Sequence, residues 1–336
     1  MKKLGKESFN PLISVIVIGY KRKTYIKEAI NSVLTQSLDK KRYEIIVVKS
    51  FKDKKLDSYI ARNNIKNIYL NPKYAVNFGT TIYEGIKQAK GRVLCFLDDD
   101  DLFIRNKLDR VYNAFVGTPE LVYYRNNIIG IDKFGRKIDF SYGNTLKKFV
   151  INNQESKVND YYKFILLNYY FNSSSVCIKK DIIMKHIRYL KMMRRSPDDF
   201  FAYIALISKG YILCDNAFLS KYRMHPENTT AYATDINYNK TNKSLHVIEN
   251  LIKKYGGKDT LKVLVAKEKR FKLDHAIIVC RNLSLREVIG YLFTYSLPFL
   301  IYCHKLDRFS FLTMFALIFR KRSQKILYGI EIKIRE

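Results

Sequence analysis

Four consecutive carboxylates, Asp98-Asp99-Asp100-Asp101, follow the apolar run Val93–Leu97 in a chain that is otherwise strongly basic, with 61 Lys+Arg against 31 Asp+Glu and a formal charge of +30. Four adjacent acids repel one another, and the arrangement is tolerable where a cation is bound among them. Hard divalent ions such as Mg²⁺ or Mn²⁺ take oxygen ligands and bridge to substrate phosphates. A second acidic pair lies at Ser196-Pro197-Asp198-Asp199, where a proline and two acids read as the first turn of a helix. The third candidate is Tyr222-Arg223-Met224-His225, which joins a guanidinium to an imidazole just before a polar segment.

These residues need a scaffold, and the hydrophobic pattern supplies one. Ile13–Ile18 is a short β-branched run that reads as a strand buried on both faces, followed by helical spacing over Tyr25–Gln36 and a second buried strand at Glu44–Val48. The pattern continues with a helix over Lys54–Asn63, a strand at Ile68–Leu70, a helix through Ile82, Ile86 and Ala89, the strand Val93–Leu97, a helix over Lys107–Phe115 and a strand at Leu121–Tyr124. Such alternation predicts an α/β fold with a mixed, mostly parallel sheet and helices on both faces. Beyond a Lys133-Phe134-Gly135 turn, short strands are expected at Ser174–Ile178, Tyr211–Cys214 and Leu219–Arg223, with a helix at Phe200–Lys209. In open α/β sheets the ligand crevice lies outside the carboxyl ends of the strands, where the acidic run would fall.

Residues 227–240 are polar, Asn-rich and aperiodic, which places the expected boundary between a catalytic domain, 1–240, and a basic C-terminal region, 241–336, near residue 240. That region opens with basic amphipathic helices at Leu245–Tyr255 and Thr260–Leu283. It then carries two uncharged runs, Val288–Cys303 and Phe309–Phe319, fenced by His304, Lys305, Arg308, Arg320, Lys321 and Arg322. The first is shorter than the ~20 residues of a membrane span and is interrupted by Pro298, so the pattern predicts a re-entrant, interfacial or buried segment rather than a crossing, with association at an anionic membrane surface favoured over packing as core helices on the catalytic domain. The five cysteines, Cys95, Cys177, Cys214, Cys280 and Cys303, are widely spaced with no CxxC pair and read as buried thiols. No signal peptide is expected at the N-terminus, which points to the cytoplasm, with the protein peripheral at the inner face of the cell membrane.

Six blocks in order carry a resemblance to a known family: Ser14–Arg22 (SVIVIGYKR), the helix ending at Gln36, Glu44–Val48, Ala89–Phe103 (AKGRVLCFLDDDDLF), Ser196–Asp199 and Tyr222–His225. Together they resemble glycosyltransferase family 2. The resemblance implies a GT-A fold, a nucleotide-sugar donor (a UDP- or GDP-sugar), a divalent metal and inversion at the anomeric carbon. It assigns Asp98 to the ribose side of the donor, Asp99 to the interposed position, Asp100 to the metal and Asp199 to the general base. His225 would close over the metal or diphosphate, with Arg223 near phosphate, and the Gly19-Tyr20-Lys21 turn would hold the base. Where the family usually has two acids and Gly-Ser after the second strand, this chain has Lys49-Ser50-Phe51-Lys52. That leaves Ser50 or main-chain groups to read the base and leaves Lys49 free for phosphate or ribose. Asn172–Ser175 resembles an acceptor-side segment.

The cationic fencing predicts a lipid-linked glycan or polyprenyl-phosphate acceptor. A nucleotidyltransferase, the first alternative, would usually offer a Gly-rich phosphate loop after the first strand, where Gly19-Tyr20-Lys21 stands. Nucleic-acid binding, the second, is disfavoured because cations are spread along the chain and no recognition motif appears. Nucleic acid is therefore not an expected partner.

Overall fold

The β-branched run at the N-terminus forms β1 (Ile13–Gly19), every residue of which is buried. In the computed structural model, which describes residues 11–20, 22–73, 77–139, 147–226, 228, 235–278 and isolated positions between 290 and 301, the chain then alternates as the pattern requires. α1 (Ile26–Leu34), β2 (Tyr43–Lys49), α2 (Lys54–Arg62), β3 (Lys66–Tyr69), α3 (Phe78–Gln88) and β4 (Val93–Asp98) follow in order. β1 pairs in parallel with β2 on one side and β4 on the other, and β2 pairs in parallel with β3. α1 turns Ile26, Ala29, Ile30 and Val33 into the core, the i, i+3, i+4, i+7 stripe of a helix lying on a sheet. On α3, Gly85 brings the helix close: a Cβ there would come within 2.6 Å of Ile16 Cγ2 on β1.

Downstream the sheet changes character. β5 (Leu102–Phe103), α4 (Lys107–Gly117), β6 (Leu121–Ile131) and β7 (Phe149–Asn152) precede α5 (Val158–Leu166), β8 (Val176–Lys179), α6 (Lys180–Met192), α7 (Pro197–Leu206) and β9 (Tyr211–Arg223). The strand order is β3-β2-β1-β4-β8-β6-β9-β5, with β7 also paired to β9. β8 runs antiparallel to both β4 and β6, and β9 is antiparallel to β5 and β7 but parallel to β6. The sheet is therefore mixed, as expected: β1–β2, β1–β4, β2–β3 and β6–β9 are parallel, and the antiparallel pairings all involve β8 or β9.

Two strands expected at Tyr211–Cys214 and Leu219–Arg223 are one strand, β9, carried through an irregular register against β6. Asp215 holds the irregularity together by accepting hydrogen bonds from Arg110 Nε (2.8 Å), the Tyr124 hydroxyl (2.8 Å) and the Ala217 N–H (3.1 Å). The expected strand at Ser174 starts at Val176, because Ser173–Ser175 form a 3₁₀ turn.

The chain divides into two compact units, Met1–Gln154 with Tyr170–Pro226, and Glu155–Tyr169 with Glu227–Glu336. The second contains α5, α8 (Asp235–Tyr255) and α9 (Lys258–Ile278). α8 begins within the segment expected as linker. It buries Leu245, Ile248, Leu251 and Ile252, and α9 buries Val263, Leu264 and Ala266. Tyr238 stacks on Phe271 at 5.0 Å and on His275 at 3.7 Å. The uncharged runs Val288–Cys303 and Phe309–Phe319 lie outside the described residues apart from isolated positions in the first, and no described helix is long and apolar enough to cross a membrane. Cys95, Cys177 and Cys214 are buried free thiols, whereas Cys280 and Cys303 lie outside the described residues.

Candidate active site

β4 delivers Asp98 at its last position, and the three following carboxylates turn away from the sheet between the ends of β1 and β9. Asp99, Asp100 and Asp101 are all buried, at 5%, 7% and 1% exposure. Each is held differently. The Asp98 N–H donates to Ser174 Oγ (3.0 Å), while Asp98 Oδ1 is buried without a hydrogen-bond partner. Asp101 accepts from the Arg223 N–H (3.0 Å) and from Asn172 Nδ2 (2.8 Å). Arg22 faces the middle of the turn: Nε and NH2 donate to the two oxygens of Asp99 at 3.2 and 2.8 Å, and NH2 also meets Asp100 Oδ2.

His225 completes this cluster, with Nε2 3.0 Å from Asp100 Oδ2 and 3.1 Å from Arg22 NH1, and its ring 5.3 Å from that of Tyr25. Arg223, expected at phosphate, is fully buried. Its Nε donates to the Asp100 carbonyl (2.9 Å), NH1 to the Lys133 carbonyl (3.1 Å) and NH2 to Glu28 Oε2 (2.7 Å), and its guanidinium lies over the Tyr25 ring. In this arrangement Arg223 supports the acidic turn from beneath.

The second acidic pair is joined to the first. Ser196 takes a left-handed backbone, φ 51° and ψ 60°, immediately before Pro197 opens α7, so Asp198 and Asp199 occupy the first turn. The Phe96 ring on β4 stacks on the Phe201 ring on α7 at 4.4 Å and 9°. This offset between two core aromatics fixes the start of α7 against the end of β4. Asn172, itself at φ 73°, bridges the acids, with its backbone N–H to Asp198 and its side-chain amide to Asp101.

Burial dominates the electrostatics. It pushes the Asp98 carboxyl well above its ordinary range, reinforced by the charges of Asp101, Asp100, Asp99 and Asp198. Burial likewise raises Asp99 to about 6, against the pull of Arg22, and Asp101 to about 7, reinforced by Asp100. Asp198 is raised to about 6 by burial, and Asp199 well above the usual carboxylate range by burial and the neighbouring Asp198 charge. Such clustering of perturbed carboxylates at a strand end marks a functional site.

The Gly19-Tyr20 turn at the end of β1 is tight. A Cβ on Gly19 would meet Ile26 Cδ1 at 2.7 Å and Lys49 Cβ at 3.2 Å, and the Gly19 carbonyl accepts from the buried Ser50 N–H (3.0 Å). Tyr20 packs edge-on to Phe78 at 6.0 Å, and Lys21 lies outside the described residues. Lys49, considered for phosphate or ribose, is buried with Nζ on the Phe51 carbonyl (2.8 Å) and Asp57 Oδ1 (2.9 Å).

Two residues not singled out from sequence, Arg22 and Lys107, belong to the site, together with Ser174 of the segment expected on the acceptor side. Arg22 sits within a quoted block, and its cation at the carboxyl end of β1, opposite an acid run, was the available signal. Lys107 is fully buried with Nζ donating to Ser220 Oγ (2.9 Å) and to the Ser174 carbonyl; a lysine in the apolar stripe with Leu108, Val111 and Phe115 was the clue. Ser174 ties Lys107 to the Asp98 N–H, so Asn172–Ser175 braces the acidic turn.

Among the described residues no group of three or more His, Cys, Asp or Glu side chains stands ready to hold a metal ion. A hard divalent cation that shares its shell with substrate phosphate and water needs only one or two protein donors. Asp100 Oδ2 and His225 Nε2, 3.0 Å apart, are donors of the right chemistry, and the partnerless Asp98 Oδ1 is a third donor atom, two residues from Asp100 in sequence. The residues fit such an ion in kind, with the Arg22 guanidinium resting on both Asp100 and His225.

The parallel half-sheet carries buried acids at its carboxyl edge, and a second acidic pair on a helix start meets them there. The chain belongs to glycosyl transferase family 2, whose pattern it matches over residues 14–197, and it is a glycosyltransferase. It is 26% identical over 231 residues to an uncharacterised glycosyltransferase of Rickettsia typhi, covering 68% of each chain. It is 23% identical over 226 residues to the putative teichuronic acid biosynthesis glycosyltransferase TuaG of Bacillus subtilis, covering 65% of this chain and 81% of that one. Its fold is similar to that of S. aureus TarS residues 1–349, solved with UDP-GlcNAc, at a TM-score of 0.59 and 16% identity over 94% of this chain and 89% of that one.

Proposed function

We propose that the protein is an inverting glycosyltransferase that moves a sugar from a UDP- or GDP-sugar to the hydroxyl of a glycan or lipid-linked acceptor, working with a divalent cation at the cytoplasmic face of the membrane. The observation that carries this reading is the fixed juxtaposition of the β4 acids and the α7 acids through the Phe96–Phe201 stack and Asn172. One acidic group then serves the leaving diphosphate and the other the attacking hydroxyl.

In this reading Asp199 accepts the proton of the acceptor hydroxyl while the new O–C bond forms. The bond from the anomeric carbon to the diphosphate oxygen breaks, and the nucleoside diphosphate leaves with the electron pair. Burial that raises the Asp199 pKa makes it a stronger base once ionised, so the rate rises with pH through that value. Asp100 and His225 would hold the cation, which supplies positive charge to the leaving diphosphate. Asp98 lines the ribose side, Gly19, Tyr20 and Ser50 line the base side, Asp99 keeps Arg22 in place, and Arg223 holds the turn rigid. The likeness to TarS, solved with UDP-GlcNAc, supports a nucleotide-sugar donor, and the likeness to TuaG, a putative teichuronic acid biosynthesis glycosyltransferase, supports a glycan acceptor.

A thermal-shift screen of UDP, GDP and their sugars, with and without Mn²⁺ or Mg²⁺, is expected to give one nucleotide that raises the melting temperature by several degrees, because a ligand bound only by the native state stabilises it. No shift with any nucleotide, and no sugar transfer from the same donors, would remove the reading. The membrane assignment rests on the fenced runs after residue 287. The full chain is expected to sediment with vesicles containing anionic lipid, less so as salt rises from ~0.05 to ~0.5 M. Equal recovery with neutral and anionic vesicles would reject the anionic-surface assignment.

A further inference from the structure

Arg22 lies against Asp99, Asp100 and His225 with one planar group. Its Nε and NH2 grip Asp99 at 3.2 and 2.8 Å, NH2 reaches Asp100 Oδ2, and NH1 lies 3.1 Å from His225 Nε2. The grip is largely desolvated: side-chain exposure is 16% for Arg22, 7% for Asp99, 9% for Asp100 and 3% for His225. The two groups best suited to a divalent cation, Asp100 and His225, are thus the two on which the guanidinium rests. A guanidinium and a divalent ion cannot both lie against the same carboxylate oxygen and imidazole nitrogen.

We infer that Arg22 is an exchangeable internal cation that competes with the divalent ion. In the donor-free protein it is the cation paired with both Asp99 and Asp100. When metal and nucleoside diphosphate enter together it releases Asp100 and His225 and turns its fork of N–H donors to phosphate oxygens. Carboxylate and phosphate match the same bidentate geometry, so one guanidinium serves both partners in turn but not both at once. Metal and nucleotide then bind cooperatively, since each pays for the displacement that the other also needs. Arg22 is here a positioning residue, and the inference rests on reading this cluster as the donor-diphosphate site.

The test is Mn²⁺ binding to the full chain, followed by electron paramagnetic resonance of the free ion, with and without saturating UDP or GDP. Wild-type protein is expected to bind Mn²⁺ weakly alone and about tenfold or more tighter with the nucleotide. Arg22→Gln is expected to bind Mn²⁺ about tenfold tighter than wild type without nucleotide and to lose most of the cooperativity, while its affinity for the nucleotide falls. Arg22→Lys, which keeps the charge but not the fork, should lie between them and serves alone if the glutamine variant does not fold. Equal or weaker Mn²⁺ binding by the variant in the absence of nucleotide overturns the inference. If no nucleoside diphosphate binds wild-type protein, the donor-site reading fails, yet tighter Mn²⁺ binding by Arg22→Gln would still establish the competition.

Discussion

Asp199→Asn is expected to lower turnover by roughly 10²- to 10⁴-fold, the range that a positioned general base contributes, while nucleotide affinity stays within about twofold. The substitution preserves shape at the first turn of α7, where the Asp199 N–H is bonded to the Ser196 carbonyl at 3.2 Å, so the helix start survives. It removes only the capacity to take a proton. The pH profile makes the test specific. Burial and Asp198 hold the Asp199 pKa well above the usual carboxylate range, so the wild-type rate should still be climbing with pH where an ordinary carboxylate is fully ionised, and level off once this group is ionised. The residual activity of Asp199→Asn should lack that limb. A variant within tenfold of wild type, or one that keeps the same limb, would move the base elsewhere.

Asp98→Asn is expected to have opposite effects on activity and stability. Asp98 carries a raised pKa from burial and from four neighbouring acids, and its Oδ1 finds no hydrogen-bond partner. An acid whose folded pKa exceeds its unfolded value of ~3.9 costs nothing below that pH. The cost grows as pH rises above that unfolded value, where the unfolded chain ionises and the folded one stays protonated, and it levels off once pH passes the folded value. The asparagine variant escapes the cost, so its melting temperature should match wild type near pH 4 and exceed it at pH 8 without metal. A gain on the order of 1 kcal/mol would be read as roughly 2–4 °C in a domain of this size. Transfer activity should nevertheless fall by about 100-fold or more, because the carboxylate is needed once donor and cation are present. A variant less stable than wild type at pH 8 would mean that Asp98 is already compensated.

Much of the parallel half was legible because its signals are local. The run Ile13–Ile18 and the stripe Ile26, Ile30 and Val33 each declare one element, and the observed bounds differ by a few residues. The acidic turn was legible from charge alone, since four acids in a basic chain have few explanations. What escaped depends on contacts between distant residues. Asp215 looks like a strand breaker until Arg110 and Tyr124 are seen to satisfy it, so one strand read as two. The antiparallel insertion of β8 between β4 and β6 has no signature in four residues, Val176–Lys179. Helix α6 did show a pattern, Ile182, Ile183, His186 and Leu190, that the surrounding lysines obscured. Arg223 was legible as a cation near the site but not as one committed inward to Asp100, Lys133 and Glu28. Arg22 required the fold, because 76 residues separate it from Asp99 along the chain and only the return of β4 beside β1 brings them together.

The stacked pair Phe96–Phe201 has a consequence for engineering. The spacing between the acids of β4 and those of α7 is set by two rings in the core, a closed aromatic joint, and not by the surface segments around the site. Laboratory libraries aimed at new acceptors can therefore randomise exposed positions freely while those two phenylalanines stay fixed. Trimming either ring should blunt every acceptor alike, however well the new surface suits it.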